Sequence, residues 1–218
     1  MSETLQRSAG RPVDIQKTHK VFDAIDCILA SEGISGLSIE RIARNAGISK
    51  ATLYRRFGNI HGILTAYVET FTQQALRLVI PKNKIDLTEP VEIEEILIDF
   101  GFDLMSLICH PRIIAFDNAM LAAGKQFADF KTELYRNGPE KAIIQISVIL
   151  EQAHISSSFF DIKSLADILF HIWRSGIYDQ ARISGKVDIS PEQLKAHVIS
   201  GTRFFLSTTL PRSSNDNH

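Results

Sequence analysis

SIERIARNAGISKATLYRRF, residues Ser38 to Phe57, decides how this chain is organised. Ser38 suits a helix N-cap, because its hydroxyl can accept a hydrogen bond from a free N–H of the first turn. Ile39, Ile42, Ala43 and Ala46 then recur at helical spacing. Gly47 follows, suited to the left-handed conformation that ends a helix. Ile48 plugs the turn and Ser49 caps a second helix, in which Leu53 and Phe57, four residues apart, face inward. Lys50, Thr52, Tyr54, Arg55 and Arg56 are left outside. Two short helices joined by a Gly-containing turn, the second of them basic, form a helix-turn-helix signature.

An ordinary helical hairpin with a solvated basic face would show the same turn. The distribution of charge favours a DNA reader. From Arg41 to Val68 there are five Lys/Arg (Arg41, Arg44, Lys50, Arg55, Arg56) and no Asp or Glu, in a chain of net charge −1. A local cationic patch is the electrostatic footprint that a phosphate backbone requires. Residues 1–60 carry nine Lys/Arg against six Asp/Glu, and the remainder fifteen against nineteen. Only the first part is therefore expected to meet a polyanion.

The length of 218 residues allows one large or two small domains, and 44% hydrophobic with 22% charged residues is ordinary for a soluble globular chain. No apolar run reaches the roughly 18 residues of a membrane span. MSETLQRSAGRP at the N-terminus has no apolar core behind its charges, so no signal peptide is read. Cys27 and Cys109 stand alone without a CxxC partner and are expected to be reduced, buried thiols of a cytoplasmic protein.

Around the central stretch the chain divides into a flexible arm (1–13), a helix-turn-helix domain (14–60), a helical body (61–210) and a flexible tail (211–218). Arg7 and Arg11 in the arm are placed to follow phosphates, though a terminus without fixed structure is the simpler expectation. Ile15, Phe22, Ile25, Ile28 and Leu29 mark a first helix that ends at Gly33. Past Gly58–Asn59, a stripe of Ile63, Leu64, Tyr67, Val68, Phe71, Ala75 and Val79 predicts a fourth helix to about Ile80, broken by Pro81, with Lys82–Pro90 as a loop. The body reads as helices over Val91–Ile108, Arg112–Ala123, Phe127–Tyr135, Glu140–His154, Asp161–Ser184 and Ser190–Thr209. Glu140–His154 is apolar nearly all round and is expected at the centre of the body. Its β-branched run would also suit a strand, but no neighbouring strand with turn chemistry supports that. Ser190–Pro191 is a strong start signal, an N-cap followed by Pro at the first helical position.

An enzyme needs a constellation of groups, and no GxSxG, HExxH, P-loop or GxGxxG is present. His110, His154, His171 and His197 are isolated in sequence and read as partnered or surface residues, so no metal and no cofactor is expected. Phe100, Phe102, Met105, Phe116, Phe127, Phe170 and Trp173 are the large apolar residues of the body. Individually they suit a core; as a group they suit a mostly apolar ligand cavity, for which Phe100, Met105, Phe116, Phe127 and Trp173 are the candidates. Few charges fall in these helices, which points to an apolar or amphipathic ligand. Gly176 would allow close helix approach in Asp161–Ser184, and Phe204, Phe205 and Leu206 give Ser190–Thr209 more apolar surface than one core needs. The two helices fit a two-fold interface, or burial within one subunit.

From Leu37 to Leu64, LSIERIARNAGISKATLYRRFGNIHGIL resembles the head of the TetR family of bacterial transcriptional regulators. Ser38, Ile42, Ala43, Ala46, Gly47, Ser49, Thr52, Leu53, Tyr54 and Phe57 fit its pattern at fixed spacing. The resemblance covers about residues 15–65, and the body agrees in being helical. It implies an all-α homodimer: a three-helix head on a palindromic double-stranded operator, joined by a fourth helix to a body that dimerises through its last two long helices and binds a small-molecule effector. By position, Ser49 to Arg56 enters the major groove. Lys50 and Thr52 are then base-edge candidates, since Lys donates to guanine and a Thr methyl touches thymine. Tyr54, Arg55, Ser38 and Arg44 would hold phosphates, and Arg56 would do either. Family members often have Lys just after the N-cap of the fourth helix; here Ile60 stands in that place, which weakens backbone anchoring. Asn59 and the helix N-terminus are left to meet a phosphate there, joined by His61 when protonated. The expected function is a repressor released from its operator by an apolar or amphipathic effector, and not an enzyme. The competing reading is a small-molecule-binding or enzymatic body whose head no longer reads DNA.

Overall fold

A computed structural model describes residues 15–76, 90–186 and 188–209. Among these residues there are eleven α-helices and no strand. The chain divides into two compact units at the Ile60/His61 boundary. The arm and tail, the stripe residue Val79, the break at Pro81 and the loop from Lys82 lie outside the described residues.

The first unit holds α1 (Ile15–Glu32), a short 3-10 turn (Ile34–Gly36), α2 (Ile39–Ala46) and α3 (Lys50–Phe57). Ser38 caps α2 by accepting from the Arg41 N–H at 3.2 Å, and Ser49 caps α3 by accepting from the Thr52 N–H at 3.3 Å. Gly47 ends α2 at φ 65°, ψ 35°, a left-handed geometry that a side chain would strain. Val21, Phe22, Ile25, Ile28, Ile42 and Leu53 are buried in this unit, each 5% exposed or less. Two expectations about α1 do not hold. Ile15 is 67% exposed at the helix start, and Cys27 is exposed rather than buried. Cys27 sits just off the stripe formed by Val21, Ala24, Ile25 and Ile28, so the helix turns its thiol outward. Phe57 is half-buried, not fully inward.

The second unit starts in α4 (Ile60–Leu76), of which Ile63, Leu64, Tyr67 and Val68 are buried. It continues with α5 (Pro90–Ile108), α6 (Pro111–Ala122), α7 (Ala128–Asn137), α8 (Pro139–Gln152), α9 (Ile162–Arg174), α10 (Ile177–Ser184) and α11 (Pro191–Thr209). A 3-10 turn, Lys125–Phe127, takes in Phe127, where the sequence began this helix, and α7 starts one residue later. The β-branched run in α8 is helical. It is not central on all sides, because Ile144 and Val148, one turn apart, are 46% and 39% exposed. At α11 Ser190 accepts from the Gln193 N–H at 3.3 Å while its own N–H donates to Gln193 Oε1 at 2.9 Å, a reciprocal cap that contributes about 1 kcal/mol.

The single long helix expected over Asp161–Ser184 is two. Gly176, at φ 76° and ψ −55°, breaks it, so this glycine is a hinge between α9 and α10 and not a point of helix approach. The carbonyls freed at the break are satisfied locally. Ser175 Oγ donates to the Ile172 carbonyl at 2.8 Å, and His197 Nε2 meets the Trp173 carbonyl at 2.9 Å.

Close approach is provided instead by glycines of α5 and α11, around Trp173 of α9, which is fully buried. A Cβ on Gly101 would lie 2.8 Å from the Trp173 ring and 2.8 Å from Val198, and one on Gly201 would lie 2.8 Å from Ile172. Trp173 Nε1 donates to Thr202 Oγ1 at 3.0 Å, and Thr202 Oγ1 donates to the Val198 carbonyl at 2.8 Å. Phe100, Leu97, Leu169, Val198 and Phe205 pack in the same core. Cys109 is also in it, and burial pushes its thiol up to about 11, so it stays protonated. Gly101→Ala is expected to destabilise the protein by about 1–3 kcal/mol through overpacking, outweighing about 1 kcal/mol gained in helix propensity. Urea unfolding at constant slope measures this, and an unchanged or higher midpoint would show that the junction has room.

Candidate functional site

Two features of the described residues are able to bind something: the exposed face of α3 and a cavity in the second unit. On α3 Lys50, Tyr54 and Arg55 are exposed, Thr52 and Arg56 are half-buried, and Leu53 points into the core. The α3 cap carries a second contact, Ser49 Oγ to Thr52 Oγ1 at 2.9 Å, which fixes the Thr52 rotamer.

The patch that is free of acids in sequence is not free of them in space. Lys50 Nζ donates to Glu40 Oε1 at 2.9 Å, and this bond holds the Glu40 carboxylate below its ordinary range. Arg41 pairs with Glu32 at the end of α1. Arg56 donates to Thr18 Oγ1 of α1 and lies over the Phe57 ring, 5.4 Å from its centroid, so it braces α3 from behind. Arg44 and Arg55 are exposed, and neither side chain has an ion-pair partner among the described residues. Asn59 is exposed immediately before α4, and Ile60 is the first residue of that helix. Ser38 Oγ is engaged as a cap acceptor, which leaves its hydroxyl hydrogen to donate.

The cavity, of about 330 Å3, is walled by α5, α6, α7, α8, α9 and α10. Phe100, Leu104, Leu107, Ile108, Phe116 and Met120 supply much of its apolar lining. Of the five residues proposed from sequence, Phe100 and Phe116 line it. Met105, Phe127 and Trp173 are buried elsewhere, Trp173 because its ring fills the space left by Gly101. Phe127 stacks near His61, centroids 5.8 Å apart, on the α4 side of the unit.

The lining also holds charges that the sequence reading left out: Asp117, Lys131, Arg174 and Arg182, with Tyr178. Tyr178 donates to Asp117 Oδ2 at 2.5 Å, and Asn118 Nδ2 donates to the Arg182 carbonyl at 2.8 Å, so α10 is tied to α6 at two points. Arg174 lies over the Tyr178 ring at 4.2 Å and the Phe170 ring at 5.2 Å. Burial raises the Asp117 carboxyl above the usual range, opposed by the Tyr178 hydrogen bond and by Arg174 and Arg182. A signal was present in the sequence, since Phe170, Arg174, Tyr178 and Arg182 recur every four residues. Among the described residues no group of three His, Cys, Asp or Glu is placed to hold a metal ion, and no helix is long and apolar enough to cross a membrane.

Residues 22–67 match the tetR family of bacterial regulatory proteins, and residues 95–208 match the C-terminal domain of AefR-like transcriptional repressors. The second match alone covers more than half of the chain. The chain belongs to the tetR family. The reading of Ser38–Phe57 as a helix-turn-helix head of that family of bacterial regulatory proteins stands. An uncharacterised HTH-type transcriptional regulator of Mycobacterium tuberculosis is 33% identical over 73 residues, 34% of this chain and 36% of that protein. The chain thus spans about a third of the curated relatives it matches. The fold is shared with a structure assigned to the TetR family from Mesorhizobium loti, at TM-score 0.72 and 19% identity over 91% of this chain and 99% of the other. It is shared also with the flavonoid-responsive regulator FrrA (TM-score 0.69, 23% identity, 91% and 99% covered). A third similar structure is that of SmeT with triclosan (TM-score 0.62, 20% identity, 90% and 93% covered).

Asp117 gives this cavity a pH signature. Its folded-state pKa is raised above the unfolded one, so the folded chain holds that proton more tightly. The resulting stability is complete below the ordinary carboxylate range and is lost as pH rises through the folded value. Asp117→Asn is expected to remove the loss: between about pH 3 and 7 the urea midpoint of the variant should gain on that of the wild type. A gap that does not change with pH would show that the carboxyl is solvated.

Proposed function

We propose that the protein is a homodimeric repressor that leaves a palindromic operator when a small apolar or amphipathic effector occupies the 330 Å3 cavity. One observation carries this reading. A chain with a tetR-family head also encloses a ligand-sized, mostly apolar cavity in its second unit. Ligand pockets typically hold about 300–1,000 Å3 and combine apolar walls with a few polar groups. FrrA is flavonoid-responsive by name and SmeT forms a complex with triclosan, which supports a small organic effector here.

In this reading α3 enters the major groove. Lys50 leaves Glu40 for a base edge, with the Thr52 methyl beside it. Tyr54, Arg55, Arg44, Ser38 and Asn59 hold phosphates, while Ser49 caps and Arg56 braces the reading helix. The chain passes between its two units at the start of α4, which makes that helix the natural lever. An effector that favours a dimer whose recognition helices miss successive major grooves, roughly 34–36 Å apart, releases the DNA. Phe205 and Leu206 are buried in their own subunit, so α11 offers a partner Phe204, while Ile183 on α10 and Ile144 and Val148 on α8 are also exposed. Such exposed apolar side chains fit a two-fold contact between copies.

Gel shifts with DNA from upstream of the protein's own gene test the DNA roles. Arg55→Ala should weaken binding to all sequences alike and lower the salt slope by about one, whereas Lys50→Ala should relax preference at one base pair per half-site. A sequence-selective loss for Arg55→Ala, or unchanged preference for Lys50→Ala, rejects the respective role. Light scattering at micromolar concentration should return twice the chain mass of 24.4 kDa; the single-chain mass overturns the dimer.

A further inference from the structure

Two arginines line the cavity with Nε donors that no acceptor among the described residues satisfies. Arg174 Nε and Arg182 Nε are buried, and among the described residues neither has a hydrogen-bond acceptor. Asp117 does not serve them, since its contact is with the Tyr178 hydroxyl and no ion pair joins it to either arginine. Lys131 is already engaged, donating to the Ala123 carbonyl at 2.7 Å. The charges at this wall are Arg174, Arg182 and Lys131 against Asp117, with Asp179 on the exposed side, 4.0 Å from Arg182. The balance is positive, and the open valences are donors. An amine or other cation would add charge and leave both donors unmet. An uncharged hydrocarbon would bury them further from water, at a loss of affinity.

We infer that the cavity takes an amphipathic carboxylate, its tail between Phe100, Leu104 and Phe116 and its head against Arg174 and Arg182. The inference rests on the effector reading above and names the chemistry of that effector. Arg174 favours this head group: its guanidinium carbon lies 4.2 Å from the Tyr178 ring centroid, and its Nε–H is the donor left without an acceptor. Two parallel N–H donors in a plane match the two oxygens of a carboxylate. The head would sit beside Asp117 and Tyr178, the residues that tie α10 to α6 next to the Gly176 break. The ligand's charge thus meets the part of the wall held by polar contacts. The tail is short, because about 330 Å3 lies at the low end of ligand pockets.

Calorimetric titration of the full chain with decanoate and with decan-1-ol, at one ionic strength, tests this. Decanoate should bind at least ~10-fold tighter than the alcohol, the effect of a charge-assisted pair of hydrogen bonds. In Arg174→Gln/Arg182→Gln decanoate should fall to the level of the alcohol, whose own binding should stay within ~2-fold and so report an intact cavity. Arg182→Gln alone should lose part of the preference, and serves where the double variant does not fold. Equal binding of both probes to the wild type, or a preference that survives in the double variant, overturns the carboxylate site and leaves the effector cavity standing. Binding of neither probe up to its solubility limit overturns both.

Discussion

The indole N–H of Trp173 bonded to the Thr202 hydroxyl, inside a junction of α5, α9 and α11, is the contact on which the second unit depends. The largest side chain in the chain can be wholly buried there because Gly101 carries no Cβ and leaves the ring its space. Thr202 passes its own hydrogen to the Val198 carbonyl, so the polar atoms introduced with the ring are satisfied within two bonds. A buried aromatic with a partner for its N–H fixes helix position in a way that an aliphatic core does not. With α9 held on this side, its neighbouring face, carrying Phe170 and Arg174, becomes a firm wall of the cavity. A ligand-sized space persists in a close-packed protein only between such walls.

The head obeys a different economy. Its core is Phe22 with a handful of aliphatic side chains, and some of its charges are placed so that they can be exchanged. Lys50 rests on Glu40, both groups more than half exposed, and exposed pairs of that kind bind their partners loosely. The pair is therefore one that the proposed contact of Lys50 with DNA could displace at little cost. Arg56 is the opposite case: tied to Thr18 and stacked on Phe57, it gives up reach to orient α3 against α1. Fixed supporting residues of this kind hold the exposed ones of α3 in place.

Much of this was legible from residue order where local chemistry decides the outcome. Ser38, Gly47, Ser49 and Ser190 act through atoms a few residues away, so the caps and the helix-turn-helix follow from spacing alone. What failed was decided by distant contacts. Glu32 and Glu40 lie outside the acid-free window but fold back against it. Gly176 sits on an apolar stripe that reads straight through it, yet Ser175 and His197 supply the bonds that let the chain break there. Trp173 and Phe116 are equally aromatic in sequence, and only the glycines facing Trp173 settle that it fills the core while Phe116 lines the space. The charges of the cavity were missed for a further reason: composition counts few of them, and what matters is that Phe170, Arg174, Tyr178 and Arg182 share one period.

That stripe bears on why the body tolerates a broken helix at all. A continuous helix over residues 161–184 would need neither Ser175 nor His197 to satisfy the carbonyls before Gly176. Buried polar groups without partners cost free energy, so the unpartnered Nε donors of Arg174 and Arg182 do not stabilise the fold, unlike Asp117 with its bond from Tyr178. Their place beside the cavity, together with the polar ties from α10 to α6, sets this wall apart from the solid junction around Trp173. The two sides of α9 thus divide the labour. One is closely packed around Trp173, and the other carries Nε donors that no acceptor among the described residues satisfies.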